Sequence, residues 1–164
     1  MDDLAKRYQD RTVRSIFIYT REAHPGERVR HHKTLQDKRE RARLFQGEFN
    51  VERQIFLDDL DGTAHSVYGM LPNMTWILGK GGLVEYRAGW TIPSDIELAI
   101  NHSLEAQSLR AQRSMMLPCY TERRLWQVKD EELFREGLER NGPQAVSDFF
   151  NDRLEEYKRK QTDS

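Results

Sequence analysis

The chain has 164 residues, 37% of them apolar and 32% charged, and its 26 basic and 27 acidic side chains nearly cancel. This length suits one domain, or one domain with an appendage, and the charge balance argues against a surface that binds nucleic acid or anionic membranes through bulk charge. The sequence contains no apolar run of membrane-spanning length, residues 1–11 are too polar for a signal peptide, and one cysteine excludes an internal disulfide. We therefore expect a cytoplasmic protein.

The first predicted elements are a helix followed by two strands with a helix between them. Residues 1–10 (MDDLAKRYQD) predict a short helix. The apolar runs at 15–19 (SIFIY) and 54–57 (QIFL) are typical of strands that are buried on both faces. Between them, Thr34 is a candidate N-cap of a helix that continues to Gly47. Two strands separated by a helix imply parallel pairing.

A hairpin and a further helix complete this part of the chain. After a short predicted helix over 64–69, residues 75–78 (TWIL) and 83–86 (LVEY) flank a glycine-rich turn. This pattern predicts an antiparallel hairpin at the edge of the sheet. Ser94 and Glu97 have the spacing of a capping box, which indicates the start of another helix. Alternating helices and strands of this kind predict an α/β domain.

The C-terminal part of the sequence has a helical pattern and no strand signal. We predict an α/β domain over 1–102 and a helical extension over 103–164. Asp130 is a candidate cap of one helix, Gly142 ends it, and Pro143 suits the first turn of the next. The last helix carries an apolar stripe made of Val146, Phe149, Phe150, Leu154 and Tyr157. Such a stripe must be buried against another surface.

Several separated segments resemble the iodothyronine deiodinase family. They are FIYTREAHP at 17–25, HKTLQDK at 32–38, ARL at 42–44, Tyr68-Gly69, Pro72 and the hairpin at 76–86. The resemblance extends from about residue 14 to about residue 100 and implies a thioredoxin-like fold. In that family the nucleophile is a selenocysteine or cysteine. It follows an additional strand, which precedes the strand that matches the one ending at Tyr19 here. This sequence has no cysteine before Tyr19, so we predict a truncated thioredoxin-like fold without that strand and nucleophile loop.

Three polar residues are candidates for acid/base chemistry. Glu22 and His24 are two residues apart, and Pro25 favours the extended backbone that places both side chains on one face. A carboxylate beside an imidazole can act as a general acid/base pair. His32 precedes a predicted helix, where the positive end of the helix dipole keeps an imidazole neutral. We predict Glu22, His24 and His32 as catalytic, with a structural hydrogen bond between Glu22 and His24 as the alternative.

Four further residues are predicted to bind substrate. They are Tyr19, Arg21, Leu71 and Pro72, and we expect a cis bond before Pro72 because thioredoxin-like folds place a cis-proline beside the active site. For Tyr19 the core is the favoured alternative, since an aromatic residue that ends a buried strand is more often part of the core than of the rim of a site. The histidines and nearby aspartates lack metal-ligand spacing, so we expect neither a metal nor another cofactor.

These observations leave three hypotheses about function. The first is a redox-inactive, deiodinase-like protein that binds or transforms a small aromatic or acyl molecule by acid/base chemistry at the Glu-Ala-His site. The second is a thiol-dependent oxidoreductase that a partner chain completes, although Cys119 lies in an apolar stretch and is expected to be buried. The third is a non-catalytic interaction subunit. Because the missing strand leaves a sheet edge to be covered, we expect a homodimer or a partner protein, and no nucleic-acid or membrane partner.

Overall fold

The structure is a computed structural model, which describes residues 1–126, 128 and 130–151. Its chain forms two compact units. Unit 1 consists of Met1–Thr20 and Arg39–Glu122, and unit 2 consists of Arg21–Lys38 and the described residues from Arg123 onward. The fold is mixed α/β, as predicted.

The predicted order of helices and strands is confirmed. The elements are α1 (Asp2–Tyr8), a 3-10 turn (Gln9–Arg11), β1 (Ile16–Tyr19), α2 (Leu35–Glu48), β2 (Gln54–Leu57), α3 (Thr63–Tyr68), β3 (Thr75–Leu78), β4 (Val84–Ala88), α4 (Pro93–Ala111) and α5 (Glu131–Asn141). Residues 143–151 are also helical. The predicted boundary near residue 102 falls inside α4, and the assignment of two domains at that point stays a prediction.

In unit 1, β1 and β2 form the predicted parallel pair, with Phe17 opposite Ile55. One face of this pair packs on α2, where the Phe17 ring stacks on Phe45 with centroids 5.3 Å apart. The other face leaves Ile16 and Phe56 exposed. The prediction that these strands are buried on both faces is wrong, because only one face of the pair lies on a helix of the described part of unit 1.

The strands β3 and β4 form the predicted antiparallel hairpin, with Ile77 opposite Tyr86. This hairpin is a separate two-stranded sheet, whereas the sequence predicted an edge of the parallel pair. Ile77 and Tyr86 pack against the core of unit 1. On the opposite face, Leu78 and Val84 pair with each other and are exposed. The parallel pair therefore has one packed face and one face on which Ile16 and Phe56 are exposed, whereas the Trp76 ring of the hairpin is covered by Arg87 and Tyr68.

The core of unit 1 lies where α1 meets α4. Leu4 and Tyr8, four residues apart on α1, are buried together with Ile96 and Ile100 of α4. The Tyr8 hydroxyl donates a 2.9 Å hydrogen bond to Oδ1 of Asn101, which satisfies the buried phenol. The predicted N-terminal helix is thus an integral part of the core.

Most predicted helix caps are confirmed. Thr34 Oγ1 accepts a hydrogen bond from the Asp37 N–H at 3.1 Å, and Asp130 Oδ1 accepts one from the Leu133 N–H at 2.9 Å. The predicted capping box at Ser94 is wrong, because α4 already begins at Pro93, whose fixed φ suits the first helical position.

Residues 114–126 have no regular secondary structure. We call them the connecting segment, since they join α4 to the chain that leads into α5. The prediction of a wholly helical C-terminal extension is therefore wrong for this stretch. Each helix of the described residues is too short or too polar to cross a lipid bilayer.

Candidate functional site

The loop that carries the Glu-Ala-His motif belongs to unit 2 and is held by the end of α5. Asn141 Nδ2 donates a 2.7 Å hydrogen bond to the His24 carbonyl oxygen. The Asn141 carbonyl in turn accepts a 3.0 Å hydrogen bond from the Arg28 N–H. Within the loop, the Gly26 N–H donates to the Val29 carbonyl at 2.7 Å. Through Asn141, its last residue, α5 is thus hydrogen-bonded to His24 and Arg28 on the two sides of a tight turn.

Two glycines allow this close approach of backbones. A Cβ atom on Gly26 would overlap the Asn141 carbonyl group. Gly142 has a φ of +121°, a backbone conformation that other residues rarely adopt, and a Cβ there would overlap the Glu27 carboxylate. The absence of side chains at Gly26 and Gly142 therefore lets the loop pack closely against the end of α5.

Glu27 connects the same loop to the helix that begins at Pro143. Both of its carboxylate oxygens accept the Gln144 N–H, at 3.0 Å each. This backbone hydrogen bond is the main reason that the pKa of Glu27 lies below its usual value. The carboxylate therefore satisfies an N–H group in the first turn of that helix, which no intrahelical carbonyl can reach.

The His24 ring lies in a cluster of aromatic side chains. Its centroid is 5.7 Å from that of Phe134 on α5 and 5.4 Å from that of Phe149, with the rings nearly perpendicular in both pairs. Phe134 and Phe149 are themselves 4.7 Å apart. Edge-to-face contacts at these distances are a stabilising arrangement of aromatic rings. Within unit 2, the His24 side chain thus packs against the rings of Phe134 and Phe149.

The predicted site residues fall into both units. Glu22, His24 and His32 are half-buried in unit 2, and Arg21 is exposed there. Their acid/base and binding roles stay predictions.

The remaining predicted site residues, Tyr19, Leu71 and Pro72, belong to unit 1. Tyr19 is buried and packs on the Phe45 ring at 5.9 Å, which agrees with the core alternative. Leu71 and Pro72 are exposed. The bond between them is trans, so the expectation of a cis-proline is wrong. Their role in binding substrate stays a prediction.

Sequence reasoning missed the residues that surround His24. The sequence did indicate that Phe149 is buried, because it lies on the apolar stripe, but it did not indicate what Phe149 packs against. Nothing in the sequence indicated a contact for Phe134 or Asn141, since a single aromatic residue and a helix-terminal asparagine are common on solvated helices. Only the packing of unit 2 reveals that both contact the Glu-Ala-His loop.

An open depression on the described part of unit 2 has a volume of about 280 Å³ and is lined by Arg28, Glu136, Glu139 and Arg140. Its alternating charges are typical of a solvated surface, and none of the predicted catalytic residues lines it.

The described residues contain no group of three or more histidine, cysteine, aspartate or glutamate side chains placed to hold a metal ion. Cys119 is exposed in the connecting segment, so the prediction that it is buried is wrong.

No protein-family model and no curated protein sequence matches the chain. The resemblance to the iodothyronine deiodinases therefore stays a hypothesis that rests on the residues quoted above.

Proposed function

We propose that this chain is a non-catalytic interaction subunit, a thioredoxin-like protein of the deiodinase type that binds another polypeptide through the strands of unit 1. One observation carries the proposal. Each sheet of unit 1 has only two strands, and on the parallel pair Ile16 and Phe56 remain exposed. A polypeptide that adds a strand or covers this face would complete the sheet.

Four apolar side chains on these strands, of the kind that a sheet normally buries, are exposed. Ile16 and Phe56 on the parallel pair are 44% and 43% exposed, and Leu78 and Val84 on the hairpin are 49% and 55% exposed. Parallel strands occur almost only in sheets covered on both faces, and two strands alone are marginally stable. Burial of the exposed half of these four side chains offers on the order of 3–6 kcal/mol before the costs of association.

The environment of His24 also supports a non-catalytic role. A general base must reach the proton that it removes from a substrate. In unit 2, phenyl rings of Phe134 and Phe149 contact the imidazole of His24, and α5 holds its backbone. These contacts explain the position of the loop without any substrate.

Hydrogen exchange on the full chain tests the proposal. The probe is a synthetic strand peptide of alternating valine and threonine, and a version with a central proline is the control. In the isolated chain, we expect rapid exchange at the β1 amides that do not bond β2, and slower exchange when the strand peptide is added. The proposal is wrong if these amides are already protected in the isolated chain.

Acid/base chemistry on a small aromatic or acyl molecule is a second candidate. It is favoured by the half-burial of Glu22 and His24 on one loop that Asn141 holds in place. Benzoate and 4-hydroxyphenylacetate at millimolar concentration are suitable probes. This candidate predicts that they raise the thermal midpoint of the wild type and of Asp61→Ala, but not of His24→Gln or Glu22→Gln. Equal shifts in all four proteins, or none, would exclude it.

A further inference from the structure

The end of α5 carries a pair of neighbours with a chemistry of its own, Asn141 and Gly142. Asn141 is the one asparagine of the sequence that a glycine follows. The backbone nitrogen of the next residue can attack the amide of an asparagine side chain and form a cyclic imide. Glycine favours this attack because it has no side chain to obstruct it and the backbone around it turns freely. This pair is therefore the position at which the chain converts asparagine to aspartate most readily.

The conversion consists of an attack and a hydrolysis. The Gly142 backbone nitrogen forms a bond to Cγ of Asn141 and loses its proton, while the bond from Cγ to Nδ2 breaks and ammonia leaves. Water then adds to one of the two carbonyl carbons of the cyclic imide and opens the ring. Opening gives aspartate, or isoaspartate, in which the main chain continues through the side-chain carboxyl group. Each product replaces a neutral amide by a carboxylate.

The fold of unit 2 keeps both reacting groups engaged elsewhere. The Gly142 N–H donates hydrogen bonds to the carbonyls of Leu138 and Glu139, at 3.2 and 3.1 Å. The side chain of Asn141 is held by the 2.7 Å hydrogen bond from its Nδ2 to the His24 carbonyl. Gly142 is also buried, which limits the access of water. The conversion therefore requires that the loop of His24 and the end of α5 separate first.

The product does not fit the place that the asparagine occupied. A carboxylate at position 141 has no N–H to donate, so its oxygen would face the His24 carbonyl oxygen, and both atoms are acceptors. The Glu27 carboxylate already lies beside Gly142, so the new negative charge would also be repelled. Isoaspartate would in addition lengthen the main chain between α5 and the Gln144 N–H that Glu27 accepts.

We propose that Asn141 is a deamidation site that folded unit 2 protects, and that its conversion is a one-way switch that keeps the end of α5 away from the Glu-Ala-His loop. The contact that suppresses the reaction is the same contact that the product destroys. Separation of the two elements is reversible before the conversion and persistent after it. The switch acts in unit 2 and does not depend on the proposed binding through the strands of unit 1.

Peptide mass mapping of the full chain, incubated in mildly alkaline buffer, measures the rate of conversion. We expect the folded wild type to convert at least about tenfold more slowly than a synthetic peptide of residues 138–145, because the reaction requires local opening of unit 2. Gly26→Ala should convert faster than the wild type, since its Cβ would overlap the Asn141 carbonyl. Gly137→Ala is the matched control, because its new methyl group enters open space, and it should convert no faster than the wild type.

Two results of this experiment would contradict protection by the loop. They are a wild type that converts as fast as the peptide, and a Gly26→Ala variant that converts no faster than the wild type. Hydrogen exchange of the α1 amides, measured on the same samples, distinguishes local from global opening. We expect these amides of unit 1 to exchange alike in Gly26→Ala and wild type. If they lose protection in parallel with the conversion, the reaction follows global unfolding and the inference fails.

The consequence of the conversion is tested with Asn141→Asp, which carries the first product from the start. We expect its α5 amides to exchange at least about tenfold faster than those of the wild type. Asn50→Asp makes the same change of charge at an exposed position of unit 1, and its α5 amides should exchange as in the wild type. If α5 of Asn141→Asp also exchanges as in the wild type, the product fits its original place and there is no switch.

Discussion

At the scale of single residues, His24 has packing contacts that can be measured separately from any chemistry. Its imidazole is perpendicular to both Phe134 and Phe149, and its carbonyl accepts a hydrogen bond from Asn141. These contacts make the side chain a contributor to the stability of unit 2. Its predicted role as an acid/base group paired with Glu22 stays a prediction.

Replacement of His24 separates the two roles. Each edge-to-face pair is worth about 0.5–1.5 kcal/mol, so we expect His24→Ala to lower the free energy of unfolding by about 1–3 kcal/mol. His24→Phe keeps an aromatic ring and should recover most of this loss. Urea unfolding of the three proteins measures both effects. A His24→Ala variant as stable as the wild type would show that the aromatic contacts contribute little.

Glu27 makes the stability of unit 2 sensitive to acid. The hydrogen bond from Gln144 lowers its pKa in the folded state, so the unfolded chain binds a proton more readily. Its contribution is therefore complete above the unfolded pKa of about 4.3 and is lost as the pH falls through the lower, folded value.

The pH dependence of unfolding tests this role. We expect the decline in thermal midpoint below about pH 4.5 to be shallower for Glu27→Gln than for the wild type. Glu132→Gln, a change at another exposed glutamate of unit 2, is the matched control. Parallel curves for all three proteins would contradict the assignment.

At the scale of elements, the acidic turn between β2 and α3 is organised by one buried carboxylate. Asp58 is 4% exposed, and its oxygens accept the N–H groups of Ala64 at 2.8 Å and His65 at 2.9 Å. These groups belong to the first turn of a six-residue helix that has no side-chain cap on its N-cap residue, Gly62. Asp58 therefore replaces the missing cap.

Removal of this carboxylate should be costly. We expect Asp58→Ala to lower the free energy of unfolding by about 2–3 kcal/mol, because the half-buried N–H groups of Ala64 and His65 lose their carboxylate acceptor. Asp61→Ala, an exposed position in the same turn, should change it by less than about 0.5 kcal/mol. Chemical denaturation of both variants makes the comparison. Equal losses would indicate that the turn is not held by Asp58 in particular.

At the scale of the whole molecule, the single cysteine limits redox chemistry. Cys119 is exposed on the connecting segment, and the chain has no second thiol to resolve a mixed disulfide. We expect no reduction of insulin disulfides above background for the wild type or for Cys119→Ser. A wild-type rate that disappears in Cys119→Ser would support the thiol-dependent oxidoreductase hypothesis.

The sequence by itself determined the secondary structure and its order. Apolar runs of four or five residues marked β1 and β2, and the caps at Thr34 and Asp130 located the starts of two helices. These features depend on neighbours within a few residues, so local patterns contain them. The cap at Ser94 failed because Pro93 starts its helix without any side-chain cap.

Tertiary structure alone decided what each predicted element contacts. The run at β1 is as apolar as a strand buried on both faces, yet only its Phe17 face lies on α2, because burial depends on which elements meet. The contacts of His24 with Phe134 and Asn141 join residues more than a hundred positions apart. No local periodicity encodes such a pairing, since it arises only when the backbone of Gly26 can approach the end of α5.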